Sequence, residues 1–389
     1  MYRNRLSALG LALSLAAACA AQPMAVDHGP YLQEVTADGA TFVFHTSRPA
    51  YAEVEVRPAG TDSVRTFWQS AHGLKAAATD FFAVEAAALR PATAYEYRIR
   101  AREIRRFEPY RVTFGDSAVT AWTPFRTLDP ARRGGSFFVV SDMHSRPQLL
   151  DTLLQLLDYR TCTDFVYAGD MMNYMEQGGE EPFTSFIDES VRRFASEKPF
   201  IYVRGNHETR GNLARTLPHY FPTRSGKLYG AQRLGDVMLV YLDSGEDKAD
   251  THPVYAGLTD FDAYRTEQAE WLKGIVAGDD WRNARYRIVI SHFPLVEDRQ
   301  MEAEGTWSGW LDAIAKFLPV LRGAGADLLV SGHTHHFAYH PAGSAGADFP
   351  VVVQGYASAA RLDCADGKVR VRVVDESGRS LLDQTFATR

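Results

Sequence analysis

Two kinds of hydrophobic patterning divide the chain. From residue 31 to about 128, apolar and polar positions alternate with period two, and little helical spacing interrupts them. That pattern predicts short strands, each with one buried face. In Ala52-Glu53-Val54-Glu55-Val56-Arg57 apolar and charged residues take turns, and over 95–102 Tyr95, Tyr97 and Ile99 are predicted to face inward and the arginines outward. The segment Asp129-Pro130-Ala131-Arg132-Arg133-Gly134-Gly135 reads as a linker. Beyond it come short continuous apolar runs separated by helical stretches, the pattern of strands buried on both faces of an α/β fold. The runs at 136–141, 164–168, 199–203, 287–291 and 327–331 each end in a polar cluster. Residues 149–157 and 311–321 carry helical apolar spacing, with Pro319 expected to bend or shorten the second helix. Near the end, 368–375 and 380–386 flank the turn Glu376-Ser377-Gly378-Arg379 and predict an edge hairpin of the same sheet system.

Length and charge narrow the classes. A chain of 389 residues favours two domains, and 46% hydrophobic with 23% charged residues excludes a mainly disordered one. Forty-two basic against 48 acidic residues give a net charge of −6, which argues against a nucleic-acid partner. The strand arginines are interleaved with Glu96, Glu103 and Glu108 and read as a solvated face. Three cysteines exclude a disulfide framework or a Cys-rich zinc fold. At the N-terminus Arg3 and Arg5 precede an uncharged Leu/Ala run over 6–18, followed by Ala16-Ala17-Ala18 and Ala18-Cys19-Ala20 as cleavage candidates. Residues 1–20 therefore read as a signal peptide, and the protein as exported to the periplasm or the exterior. The alternative is a membrane-anchored lipoprotein with its lipid on Cys19, although Leu15 lies one position too far upstream for the usual lipoprotein box. Cys162 and Cys364 could then pair in an oxidising compartment, although two unpaired core thiols are the favoured reading.

The polar clusters carry the chemistry. They contain Asp142-Met143-His144, Gly169-Asp170-Met171-Met172-Asn173, Gly205-Asn206-His207-Glu208, His292 and Gly332-His333-Thr334-His335. Five of the 12 histidines fall in them, too concentrated for scattered core residues. Carboxylate, amide and imidazole donors at strand ends suit divalent ions of borderline hardness. No Gly-x-Ser-x-Gly elbow or phosphate-binding Gly-x-x-x-x-Gly-Lys-Ser/Thr loop is present.

This ordered set resembles the motifs of calcineurin-like metallophosphoesterases over roughly residues 136–340. The resemblance implies a four-layer αββα domain over 135–389 and two divalent ions. Asp142, His144, Asp170 and His335 would hold the first ion; Asp170, Asn206, His292 and His333 would hold the second, with Asp170 bridging. It further implies hydrolysis of a small phosphate monoester by a metal-bridging hydroxide, with His207 as general acid or transition-state stabiliser and Glu208 orienting an imidazole. The stretch Leu89-Arg90-Pro91-Ala92-Thr93-Ala94-Tyr95-Glu96-Tyr97 resembles the tyrosine corner of a fibronectin type III domain, implying a small all-β sandwich over 24–128. Purple acid phosphatases place such a domain before this catalytic fold. Two departures from them are the histidine of Asp142-x-His144 and Asn173, which stands where their iron-binding tyrosine would be; Tyr174 is out of register. Mn, Zn or ferrous Fe is therefore expected in place of a ferric-tyrosinate pair. Arg210, Tyr255 and Trp307 are the candidate substrate contacts. The rival readings are a phosphodiesterase with the same centre and a metal-free surface binding module.

Overall fold

The computed structural model describes residues 23–176, 178–297 and 307–388. The proposed signal peptide and Cys19 lie outside them. The β-rich region is organised by one 19-residue strand, Ala40–Pro58. Its first half pairs with Val26–Gln33 and Ala77–Ala86, and its second half with Ala94–Glu108. The register shifts between His45 and Ala50, where the strand passes from one layer to the other. Alternation then sends Phe42, Phe44 and Phe82 from one layer, and Val54, Tyr97 and Phe125 from the other, into one buried cluster. Tyr95, Tyr97 and Ile99 are buried, as the pattern predicts. The Tyr95 hydroxyl accepts a hydrogen bond from the Arg90 amide at 2.9 Å. Arg98 and Arg100 face outward and pair with Glu55 at 2.6 and 2.9 Å.

From Gly135 onward the chain builds two six-stranded sheets. The first runs Phe200–Val203, Asp164–Ala168, Gly135–Val140, Ser358–Ala365, Lys368–Asp375, Ser380–Ala387. Its first three strands are parallel, and the closing hairpin forms its edge. The second runs Gly230–Leu234, Val237–Leu242, Tyr286–Ser291, Leu328–Ser331, Val351–Val353, Ala338–His340, with four central parallel strands. Their inner faces meet in one apolar cluster that includes Val139, Val166, Ile288 and Val330. Phe138, Val140 and Phe165 face the other way, onto Leu150 and Leu153 of the helix Pro147–Leu156. Val240, Val289 and Leu329 pack on Leu272 of the helix Phe261–Ala277 and on Trp310 and Phe317 of the helix Ser308–Leu321. Helices therefore cover both outer faces of a sheet pair.

Pro319 does not shorten its helix, which continues to Leu321. The proline sits in the last turn, so its missing N–H removes only one bond near an end that already frays. Cys162 and Cys364 are free and buried in different clusters, one behind the first sheet and one between the sheets.

The β-rich region also feeds the core of the α/β region. Tyr31 and Val43 leave their own layer and join the cluster behind the first sheet. Tyr31 stacks on Phe200 and donates to the Tyr220 carbonyl at 2.7 Å. Tyr97 donates to the Ser196 carbonyl at 2.8 Å, and His28 sits between Asp188 and Glu180 at 3.0 and 3.1 Å. Tyr31→Ala should therefore cost about 3–5 kcal/mol by cavity formation, and Tyr31→Phe about 1 kcal/mol by loss of one hydrogen bond. Urea denaturation checks both, and a Tyr31→Ala loss below 1 kcal/mol would mean that the two regions do not share this core.

Candidate metal centre

Every candidate donor stands at the C-terminal end of a parallel strand. Asp142 and His144 follow Gly135–Val140, Asp170 follows Asp164–Ala168, and Asn206 and His207 follow Phe200–Val203. From the second sheet, His292 follows Tyr286–Ser291, and His333 and His335 follow Leu328–Ser331. The loops are so short that their backbones turn left-handed at non-glycine positions. Asp142, His144, Asp170, His333 and His335 have φ of 58°, 46°, 52°, 75° and 60°. Such angles are costly for L-residues and tend to collect where side chains must be aimed. The motif glycines permit close approach. A Cβ on Gly205 would collide with Asp170, one on Gly169 with the His292 ring, and one on Gly332 with Ser141 and Asp142.

Two donor groups result. Asp142, His144, Asp170 and His335 offer atoms all within 4.8 Å of one another, and so do Asp170, His292 and His333. Asn206 Oδ1 lies 3.1 Å from both His292 Nε2 and His333 Nδ1, which brings the amide into the second group. Asp170 is common to both. Its Oδ2 is 3.2 Å from His292 Nε2 and 4.0 Å from the Nε2 atoms of His144 and His207. His144 and His335 turn their Nε2 atoms to face each other at 3.1 Å. Two imidazole nitrogens converge this way only if a proton or a cation lies between them. Carboxylates, imidazoles and one amide oxygen form a donor set that fits borderline divalent ions.

The electrostatics are those of charge concentrated away from water. Burial alone would raise Asp170, but His292, His207 and His144 hold it far below the usual carboxylate range. Desolvation would lower His292, yet Asp170 and Asp142 push it up to about 10. Its ring is oriented by the Ala168 carbonyl at 2.9 Å from Nδ1. His333 is lowered to about 3, by desolvation first and by His292 second.

Glu208 departs from the expectation that it orients an imidazole. Its carboxylate accepts the backbone amides of Asp170 and Gly205 on Oε2 at 3.0 and 2.8 Å, and of Met172 on Oε1 at 3.0 Å. It ties the second and third motif loops together through their main chains. Burial, and then Asp170, push its carboxyl up to about 7.

The substrate candidates separate. Arg210 reaches the cavity over the donors, but Glu246 takes its Nε and Nη2 at 3.0 Å each. Its Nη1 is 3.3 Å from His207 Nε2. Tyr255 donates to Glu246 at 2.8 Å and lines the adjoining cleft instead. Trp307 does line the donor cavity, 5.7 Å from the His333 ring. The sequence reading missed Glu246, Asp247 and Lys248. They follow Val237–Leu242, whose apolar run ends in Asp243-Ser244-Gly245-Glu246-Asp247, the same signature as the five recognised strands.

The calcineurin-like phosphoesterase family model matches residues 135–337. The chain belongs to that family. Purple acid phosphatase 18 of Arabidopsis thaliana is 25% identical over 176 residues, 45% of this chain. The match spans only 36% of that relative's own length. Among solved structures, the fold resembles a purple acid phosphatase from yellow lupin (Lupinus luteus) seeds, with a TM-score of 0.68 at 14% identity, covering 94% of this chain and 74% of that one. It also resembles PhoD, with a TM-score of 0.61 at 11% identity and 91% of both chains covered. At such identities these structures speak to the fold alone. Within the phosphoesterase fold, Glu208→Gln turns one acceptor into a donor aimed at a backbone N–H. Metal affinity should fall about 10–100-fold, read by competition with a chelator. Unchanged affinity would show that the loops hold their shape without this carboxylate.

Proposed function

We propose that this chain is an exported, binuclear metal-dependent phosphoesterase that hydrolyses phosphate monoesters. The observation that carries the reading is the sharing of Asp170 by two convergent donor groups, with His207 beside both and part of neither. Asp142, His144, Asp170 and His335 would hold one ion, and Asp170, Asn206, His292 and His333 the other. A pair of divalent ions so held would acidify a water and clamp the phosphoryl oxygens.

The chain's own residues supply the rest. The Asn173 carbonyl lies 3.1 Å from His207 Nδ1 and can only accept, so Nδ1 carries the hydrogen. Nε2 accepts from Arg210 Nη1 at 3.3 Å, a contact it must give up when it takes the proton and turns to the leaving oxygen. Protonated there, His207 gives its proton to the leaving oxygen as the phosphorus–oxygen bond breaks. Asp170 Oδ1 accepts the His207 backbone amide at 3.0 Å and fixes this loop against the donors. Mn, Zn or ferrous Fe suits the site, because the Asn173 side chain is exposed beside the His144 carbonyl and the Tyr174 ring lies against His207. Export rests on the signal-peptide pattern of residues 1–20, with Cys19 as the site of a lipid anchor in the lipoprotein form. The fibronectin-like reading of the β-rich region rests on the Tyr95–Arg90 bond.

His207→Ala should keep two metals per chain and lose about 10²–10⁴-fold in rate on alkyl phosphates. On aryl phosphates, whose phenolate departs without a proton, the loss should shrink. Equal losses on both would reassign His207 to charge stabilisation, and loss of metal would make it a ligand. Diesters turned over as fast as monoesters would move the activity to a phosphodiesterase. The metal-loaded protein should also lack a visible charge-transfer band; purple colour would place a phenolate on the metal.

A further inference from the structure

Beside the donor cavity, which measures about 270 Å³, lies a second cleft of about 460 Å³. Arg210 and Lys248 belong to the walls of both, so the two spaces adjoin. The second cleft holds no metal donor. Its walls include Tyr174, Val254, Tyr255 and Leu258. Tyr174, Val254 and Leu258 are 49%, 66% and 68% exposed, so three large apolar side chains stand at a single mouth.

The position of the cleft relative to His207 decides its use. The Tyr174 ring stacks near His207, centroids 6.0 Å apart. Arg210, which reaches His207 Nε2, forms the boundary between the two spaces. The cleft therefore begins on the side of the site where the departing oxygen takes its proton. The donor cavity is the smaller of the two and has to take the phosphoryl group together with any ions, whereas the second falls within the range of small-molecule pockets and holds none of the candidate metal donors. Glu176, Arg215 and Lys248 give it polar walls as well, so hydroxyls can be held there. Tyr174, Val254, Tyr255 and Leu258 supply the apolar surface that covers a flat ring and that a small alcohol would leave unused.

We propose that this cleft is the leaving-group subsite and that it selects phosphate esters whose alcohol carries a planar ring, aryl or nucleoside. The inference rests on the phosphoesterase reading for its orientation, but its binding test does not require turnover. Phenylphosphonate and methylphosphonate cannot be hydrolysed, and both present the same anion to the metal-loaded protein. Phenylphosphonate should bind about tenfold more tightly, the scale expected from covering part of one ring. In the double variant Val254→Ser/Leu258→Ser the ratio should fall to about two- or threefold. Both side chains are exposed, so the fold does not depend on them.

Equal binding in the unaltered protein, or a ratio that survives the double substitution, overturns the subsite. Turnover of 1-naphthyl phosphate, a nucleoside 5′-monophosphate and glycerol 1-phosphate then separates the sources of the ring. A higher kcat/KM for naphthyl or for nucleoside phosphate names the class, and equal values for all three reject ring selection. A binding preference without turnover of any ester would sink the phosphoesterase reading and leave the subsite standing.

Discussion

The arrangement depends on one buried carboxylate. Asp170 is 1% exposed and stands where the two sheets' loops converge. A lone anion there would be prohibitively desolvated, so its surroundings must supply positive charge or donors. They do so from every side: imidazoles of His144, His207 and His292, and the backbone amide of His207. Asp142 is also buried, and the two carboxylates raise each other's cost. Divalent cations held among these carboxylates relieve that repulsion more completely than imidazoles can, which is why the same geometry that looks strained reads as a site for metal. The left-handed backbone at five donor positions belongs to the same economy. Each loop is kept too short to relax, and the donors cannot drift apart.

That rigidity comes from behind. Glu208 joins the loops after Asp164–Ala168 and Phe200–Val203 by their amides, so the second and third motifs move as one body. His292 crosses from the other sheet and is pinned by the Ala168 carbonyl. The two sheets are thus locked at the site by polar bonds and held below it by the apolar cluster between them. The β-rich region braces the helical layer outside the first sheet, where Tyr31 and Tyr97 bond to main-chain carbonyls. It also meets the stretch Phe183–Ala195, where His28 stacks on Phe183 at 4.3 Å and pairs with Asp188.

The strands of the α/β region were legible because burial on both faces leaves an unbroken apolar run, and each run's abrupt polar end marked a donor. All five recognised strands begin or end within a residue of their expected positions. Where the reading failed, the cause was physical. Val237–Leu242 shows the same run and polar end, but it carries no metal donor and so attracted no notice. Of the two effects expected of Pro319, shortening does not occur, because in the last turn its lost bond hardly matters. The task of Glu208 was invisible because its partners are backbone amides, which leave no trace in a residue pattern. Arg210 was ambiguous for the opposite reason: its partner, Glu246, lies 36 residues away and nothing local announces the pair.

The Arg210–Glu246 pair bears on how selectivity is divided. A guanidinium facing a phosphate site usually clamps the anion with two parallel N–H groups. Here Glu246, itself buried, already accepts Nε and Nη2, and the Tyr255 hydroxyl completes its coordination. Releasing that fork would strand a buried carboxylate, at a cost that one phosphate contact would not offset. Arg210 is therefore better placed as a fixed wall, its Nη1 bearing on His207 Nε2. Recognition of the phosphoryl group then falls to the donors and whatever ions they hold. On the reading proposed above, recognition of the alcohol would fall to the segment after Val237–Leu242, which brings Glu246, Val254, Tyr255 and Leu258 to the far side of that wall and Lys248 to its edge. The motifs at the other five strand ends are committed to holding charge. The stretch following the sixth begins fixed, because Glu246 holds Arg210 by its side chain and Arg265 by its carbonyl. It ends in the exposed Val254 and Leu258, which touch no donor; on the reading proposed above, that distal part can tune the alcohol without disturbing the charge.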